Sequence, residues 1–176
     1  MTSTPRYDRP DPSEYAAFYA GYIAKVPDGD LVGVLEANLE EFVRTLGAVA
    51  EVRGGFAYAP GKWTLKEVLG HVIDAERVFS YRAMRIARGD ETPLPGFDEK
   101  EWVPQSGADD RTIADLLAEL RAVRAATIAL LRHLPADSVT RRGIASGNEV
   151  TVRALAWIIA GHPMHHLGIL RERYLV

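Results

Sequence analysis

The sequence predicts an all-α fold. It is a four-helix bundle of up-down-down-up order, with a long crossover between the second and third helices and a short helix ahead of them. Three observations predict it. Four segments repeat apolar residues at three- and four-residue spacing, the signature of amphipathic helices. Three of those segments open on an aspartate or threonine suited to cap a helix N-terminus. No stretch of useful length alternates with the two-residue period of a strand, and no internal repeat is present.

The short N-terminal helix spans 13–24, Ser13-Glu-Tyr-Ala-Ala-Phe-Tyr-Ala-Gly-Tyr-Ile-Ala24, with Ser13 as its N-cap and Pro27-Asp-Gly-Asp30 as its stop. Residues 1–12, rich in proline and charge, read as a surface segment. The first long helix covers 31–51. Asp30 caps it, Leu31, Leu35, Leu39, Phe42 and Leu46 form its stripe, and Gly54-Gly55 closes the segment. The second covers 64–88 and opens on Thr64-Leu-Lys-Glu67, a capping box. Val68, His71, Ala75, Val78 and Arg82 share one of its faces.

A connection without strong helical pattern follows over 90–110. Such length is uncommon inside a compact domain, but two neighbouring helices running in the same direction require it. A 25-residue helix is about 37 Å long, and some twenty extended residues reach about 65 Å, so the chain can return to the start of the bundle. The third helix covers 112–133, from the cap at Thr112-Ile-Ala-Asp115 to the residue pair before Pro135. After a polar link, the fourth covers 151–174.

Composition narrows the functional classes. A chain of 176 residues favours one domain with a substantial core, spanning 1–176. A net charge of -3 gives no electrostatic basis for a nucleic-acid or anionic-membrane partner. The absence of cysteine excludes disulfides, thiolate nucleophiles and sulfur-ligated metals, and fits a cytoplasmic location. The N-terminus has no apolar run of the signal-peptide kind, and the longest apolar run, 154–160, is too short to span a membrane.

The chemistry concentrates in Gly161-His-Pro-Met-His-His-Leu-Gly168, which holds three of the five histidines. The stripe of the fourth helix reads Val152, Leu155, Ile159, His162, His166, Ile169, so two imidazoles occupy positions that are otherwise apolar. An i,i+4 pair is separated by about 6 Å along the axis and about 40° around it, which lets both rings converge on one ion. His165 falls off that stripe. A stable nitrogen site needs a third ligand. His71 offers it from the apolar face of the second helix, whereas His133 sits in a last turn, where histidine commonly serves the helix terminus. His71 lies about 10 Å from the start of its helix, and the His162/His166 midpoint about 15 Å from the end of its own, levels that match if the two helices are antiparallel.

Asp74, three residues after His71, either orients a ligand histidine through the other ring nitrogen, serves as general base to a bound water, or simply pairs with Arg77. Arg82, Arg85 and Arg88 either bind an anionic substrate or tie down the crossover. Pro163 removes a hydrogen bond to the Ile159 carbonyl and is expected to bend the fourth helix at the site. Trp63, Trp102 and Trp157 are expected to pack.

These residues also carry a resemblance. Gly61-Lys-Trp-Thr-Leu-Lys-Glu-Val-Leu-Gly-His71, Asp74-Ala-Glu-Arg77, Arg88-Gly-Asp90, Pro93-Leu-Pro-Gly-Phe97 and Gly161-His-Pro-Met-His-His-Leu-Gly168 together resemble the DinB superfamily over nearly the whole chain. The resemblance implies a four-helix bundle of up-down-down-up order, often a homodimer, with a divalent metal such as zinc or nickel held by three histidines. Here those are His71, His162 and His166. Relatives of this kind include transferases that use low-molecular-weight thiols such as bacillithiol or mycothiol, a thiol-dependent maleylpyruvate isomerase, and members without known activity. The implied reading is a metal-dependent thiol transferase acting on a small molecule. The alternatives are a metal-dependent hydrolase and a non-enzymatic metal-binding stress-response protein.

Overall fold

Each long helix begins where a side chain accepts hydrogen bonds from first-turn amides that have no partner inside the helix. In the computed structural model, which describes residues 5–176, Asp30 accepts from Val32 and Gly33 ahead of α2 (Leu31–Gly47). Thr64 and Glu67 complete a reciprocal capping box ahead of α3 (Leu65–Ala87). Thr112 caps α5 (Ile113–Arg132), and Thr151 caps α6 (Val152–Arg173). The short α1 (Ala20–Ile23) precedes them, and α4 (Glu99–Trp102) lies within the crossover. The chain is mostly helical, as expected, and the four long segments fall close to their sequence-read limits.

Three expectations need correction. Helix α2 ends at Gly47, not near residue 51, because Glu51 belongs to a separate 3-10 turn. There its carboxylate accepts from the Ile113 amide and pairs with Lys66. Ser13 is not an N-cap: Asp11 caps a 3-10 turn, Pro12–Glu14, in a capping box with Glu14, and the rest of the N-terminal segment folds as a second 3-10 turn, Ala17–Tyr19, leading into α1. The link after α5 also holds a β-hairpin. Its strands β1 (Arg142–Ala145) and β2 (Asn148–Thr151) pair antiparallel around Ser146-Gly147, both at positive φ as a tight hairpin turn requires. Leu94 of the crossover docks on it through the Ile144 carbonyl and the Ser146 amide.

The surface expectation for residues 1–12 falls partly on residues 1–4, which lie outside the described residues. From residue 5 the segment is a strap pinned across α6. Trp157 donates Nε1–H to the Tyr7 carbonyl, the Tyr7 hydroxyl donates to Leu131, and Glu14 accepts from Thr151 and Arg153.

Residue pairs between helices set their mutual register. Glu36 meets Arg132 across α2 and α5, and Glu51, in the turn after α2, meets Ile113 at the start of α5. Asn38 meets Ala160 and Glu41 meets Arg171 across α2 and α6. Glu76 meets Arg124 and Arg77 meets Glu119 across α3 and α5. Trp63, just ahead of α3, meets Tyr174, just after α6. The apolar core has two parts. Helix α3 gives residues up to Ile73 to one part and from Ala75 to the other, and α6 divides between Ala160 and Leu167. The polar residues His71, His162 and His166 fall at that junction. Among the described residues no helix is long and apolar enough to cross a membrane.

Candidate metal centre

Helix α6 brings His162 and His166 to one face, and α3 brings His71 against them. All three are buried. The Nε2 atom of His162 lies 3.1 Å from Nε2 of His71 and 3.1 Å from Nε2 of His166. One ligand atom from each of the three residues fits within 4.8 Å of the others. A single ring nitrogen has one proton or one lone pair, so the His162 nitrogen cannot make two good hydrogen bonds at once. Three lone pairs converging on one point are instead satisfied by a cation. The spacing suits one: two nitrogens at the usual zinc–imidazole bond length stand about 2.9 Å apart at a right angle and about 3.3 Å apart at the tetrahedral angle. The three histidines are thus a set able to hold a metal ion.

Electrostatics keeps those lone pairs available. Burial pushes the His71 imidazole down to about 4, opposed by the Glu99 charge. Burial, helped by His71 and His165, pushes His166 down to about 3. Burial and the other three imidazoles hold His162 well below the ordinary histidine range. All three rings are neutral at neutral pH, the state that ligates metal.

The family profile of the DinB superfamily matches residues 35–170, from the second turn of α2 almost to the end of α6. The chain belongs to the DinB superfamily. Among solved structures, this DinB-superfamily chain is similar to YfiT from Bacillus subtilis, described as a probable metal-dependent hydrolase with an unusual four-helix bundle topology. The TM-score is 0.74 at 20% identity, covering 90% of this chain and 91% of YfiT. It is also similar to a mycothiol-dependent maleylpyruvate isomerase, with a TM-score of 0.67 at 15% identity, covering 82% of this chain and 61% of that one. The DinB chain therefore spans less than two thirds of the isomerase. Among curated proteins, none matches significantly.

The other sequence-read candidates fall outside the cluster. His165, as expected, is a neighbour: its half-buried ring stands 5.1 Å from Tyr22 and 5.2 Å from His166. His133 is exposed at the end of α5. Asp74 shares no hydrogen bond with His71 among the described residues. Its carboxylate lies 3.7 Å from Arg77 and lines a small cleft with Arg111 and Glu119, and burial raises its pKa. Arg85 pairs with Asp90 at the start of the crossover. Helix α6 runs unbroken through Pro163, and Asn38 donates to the Ala160 carbonyl, one residue from the carbonyl that the proline leaves free.

Sequence reasoning missed the walls of this DinB site. The Tyr22 ring of α1 lies edge-on to His162 at 5.3 Å, Trp63 lies 4.9 Å from His71, and Phe79 lies 5.9 Å from His162. Trp63 therefore packs as expected, but against a candidate ligand. Trp157 is fully buried, whereas Trp102 is 47% exposed and stacks on Phe97. Tyr22 sits there because Gly161 lets the backbones touch: a Cβ at Gly161 would stand 2.1 Å from the Tyr22 carbonyl oxygen. Glu99 of α4 is the acidic residue whose charge acts on both His71 and Tyr22. The glycine was visible in the sequence; its contact, 139 residues away, had no local signal. A cavity of about 810 Å³ lies elsewhere, between the N-terminal strap, the start of α2 and the end of α5. The histidine chemistry, not cavity size, marks the candidate site.

Proposed function

We propose that this protein is a metal-dependent transferase presenting a low-molecular-weight thiol to an electrophilic small molecule, with His71, His162 and His166 holding a zinc or nickel ion. One observation carries the reading: three buried, neutral imidazoles converge without an acidic ligand among them. A divalent ion on such a set keeps its full charge and open positions, and so lowers the pKa of a thiol or water bound there. Imidazole donors suit zinc and nickel alike. Tyr22, Trp63 and Phe79 exclude water from the rings they contact, and Glu99 adds a negative charge that acts on His71. Asp74 has no part in it, since its position favours the ion pair with Arg77.

The same reading includes one domain over residues 1–176, up-down-down-up order, a cytoplasmic location and a homodimer. The helix-to-helix pairs support the order: α2 with α6 pair in the same sense, as do α3 with α5, whose leading residues Thr64 and Asp109 meet below the Glu76–Arg124 pair, while α2 with α5 pair in opposite senses. The dimer rests on the family resemblance and is tested by sedimentation.

Hydrolysis is the second reading, supported by likeness to YfiT over nearly the full length of both chains. Metal analysis of the purified protein and of His71→Ala, His162→Ala and His166→Ala is the first test. Full metal content in all three variants overturns the ligand assignment. With that established, consumption of mycothiol or bacillithiol with an electrophile, against release of nitrophenol from an ester, separates transfer from hydrolysis. A metal-loaded protein inactive in both, yet unfolded by chelator, would make the ion structural.

A further inference from the structure

A second site is built into the face of α3 toward the crossover. A cavity of about 300 Å³ opens there, walled by Val78, Tyr81, Pro95, Phe97, Trp102 and Arg82. Its lining is mostly apolar and aromatic. Tyr81 and Trp102 remain 48% and 47% exposed, large rings that a folded chain normally covers.

Arg82 is the anomaly in that wall. It is only 2% exposed, yet has no carboxylate partner among the described residues. Its Nη2 donates to the Pro95 carbonyl at 2.7 Å and to the Ser146 hydroxyl at 2.9 Å, and the Tyr19 hydroxyl lies against the guanidinium. Those acceptors are neutral. They satisfy hydrogens without balancing charge, and a buried charge ordinarily needs a counter-ion. The other deeply buried arginine, Arg124, shows the usual solution, a two-pronged pair with Glu76 at 2.7 Å on each prong. The Arg82 guanidinium carbon lies 5.8 Å from the ring of Phe97, which lines the cavity, and 5.9 Å from Phe79.

We propose that this cavity binds a small organic acid, its carboxylate pairing with Arg82 and its flat apolar body lying against Tyr81, Phe97 and Trp102. The lining accepts the body, and Arg77, the other cation at the cavity, is already paired with Glu119 and Asp74. The guanidinium fork selects a planar anion. Phe79 links the two sites, its ring 5.9 Å from this guanidinium and 5.9 Å from the His162 ring. The inference does not depend on a metal at those histidines.

Chelator-treated full-length protein is titrated with benzoate, phenylacetate and 3-phenylpropionate, and with the amide of each, by calorimetry and tryptophan fluorescence. At least one acid is expected to bind at one per chain, about tenfold or more tighter than its amide. Trp102→Phe should remove the fluorescence response, which assigns that signal to this cavity. Arg82→Lys, which keeps the charge but loses the fork, should weaken the acid about tenfold and leave the amide unchanged. Equal affinity for acid and amide overturns the proposal. So does binding that appears only after metal is restored, or the failure of all three acids at millimolar concentration. Should Arg82→Lys not fold, because Arg82 also clasps Pro95 and Ser146, the acid–amide comparison on the unmodified protein decides alone.

Discussion

Replacing Gly161 by alanine puts a methyl group where the Tyr22 backbone already stands. The new Cβ would lie 2.1 Å from the Tyr22 oxygen and 2.5 Å from its carbonyl carbon. Carbon contacts settle near 3.5 Å, so α1 must retreat by roughly 1 Å or more. Both partners are backbone, so no flexible side chain can yield instead. Overpacking of this kind costs about 1–3 kcal/mol, while alanine in place of helical glycine returns up to about 1 kcal/mol. The net expectation is a loss of about 1–2 kcal/mol, with Tyr22 lifted off His162. Gly168 is the control on the same helix: a Cβ there meets nothing within 4 Å. Gly168→Ala should therefore stabilise by up to about 1 kcal/mol, the propensity term alone. Urea unfolding of the two variants, with chelator present, reads both signs in one experiment. A Gly161→Ala midpoint at or above that of the parent protein would refute the close-approach argument.

Three further outcomes follow from the geometry. Glu76→Leu leaves the Arg124 guanidinium buried without its carboxylate and should cost about 3–5 kcal/mol, most of it recovered in the double variant with Arg124→Met, measured by denaturant titration. Burial pushes Glu14 up, but bonds from Arg153, the Asp11 amide and Thr151 outweigh it and hold the carboxyl at about 2. Because its folded value lies below the unfolded one, the unfolded chain takes up the proton first as pH falls. Glu14 should contribute at most about 3 kcal/mol, present above pH ~4.5 and lost toward pH 2, and Glu14→Gln should flatten that part of the stability profile. Zinc or nickel at about a hundred times its dissociation constant should raise stability by roughly 2.7 kcal/mol, a melting shift of about 5–10 °C, and each His→Ala variant of the cluster should abolish the shift.

The four long helices were legible because their signals are local. Asp30, Thr64 and Thr112 cap their own next turns, and the apolar stripes need only spacing. His162 and His166 were legible as a pair for the same reason: one turn of α6 sets their distance. The hairpin was not, because four-residue strands are too short to show alternation, and Leu94 and Arg82, which hold it, lie elsewhere in the chain. The overrun of α2 had a similar cause. Nothing near Glu51 in the sequence announces that it will accept from the Ile113 amide. The places of Tyr22, Trp63 and Glu99 beside the histidines carry no local signal, because side chains at the site are chosen by packing, not by neighbours in sequence. Arg82 was read as either an anion site or a tie to the crossover. Its bonds to Pro95 and Ser146 supply the tie, and its missing carboxylate leaves the other half open.

The N-terminal strap has a kinetic consequence. Its anchors join residues 137 and 150 positions apart in the chain, Glu14 to Thr151 and Tyr7 to Trp157. Contacts of such long range carry the largest loop-closure cost and belong to the late steps of folding. The strap and α1 therefore wait, already synthesised, for the helix they cover, and the histidines stay open to incoming ions until then. Tyr22 of α1 packs edge-on to His162, so an ion held there would exchange through a local opening of α1 rather than through global unfolding. The exchange rate of a bound ion would then serve as a clock for that opening.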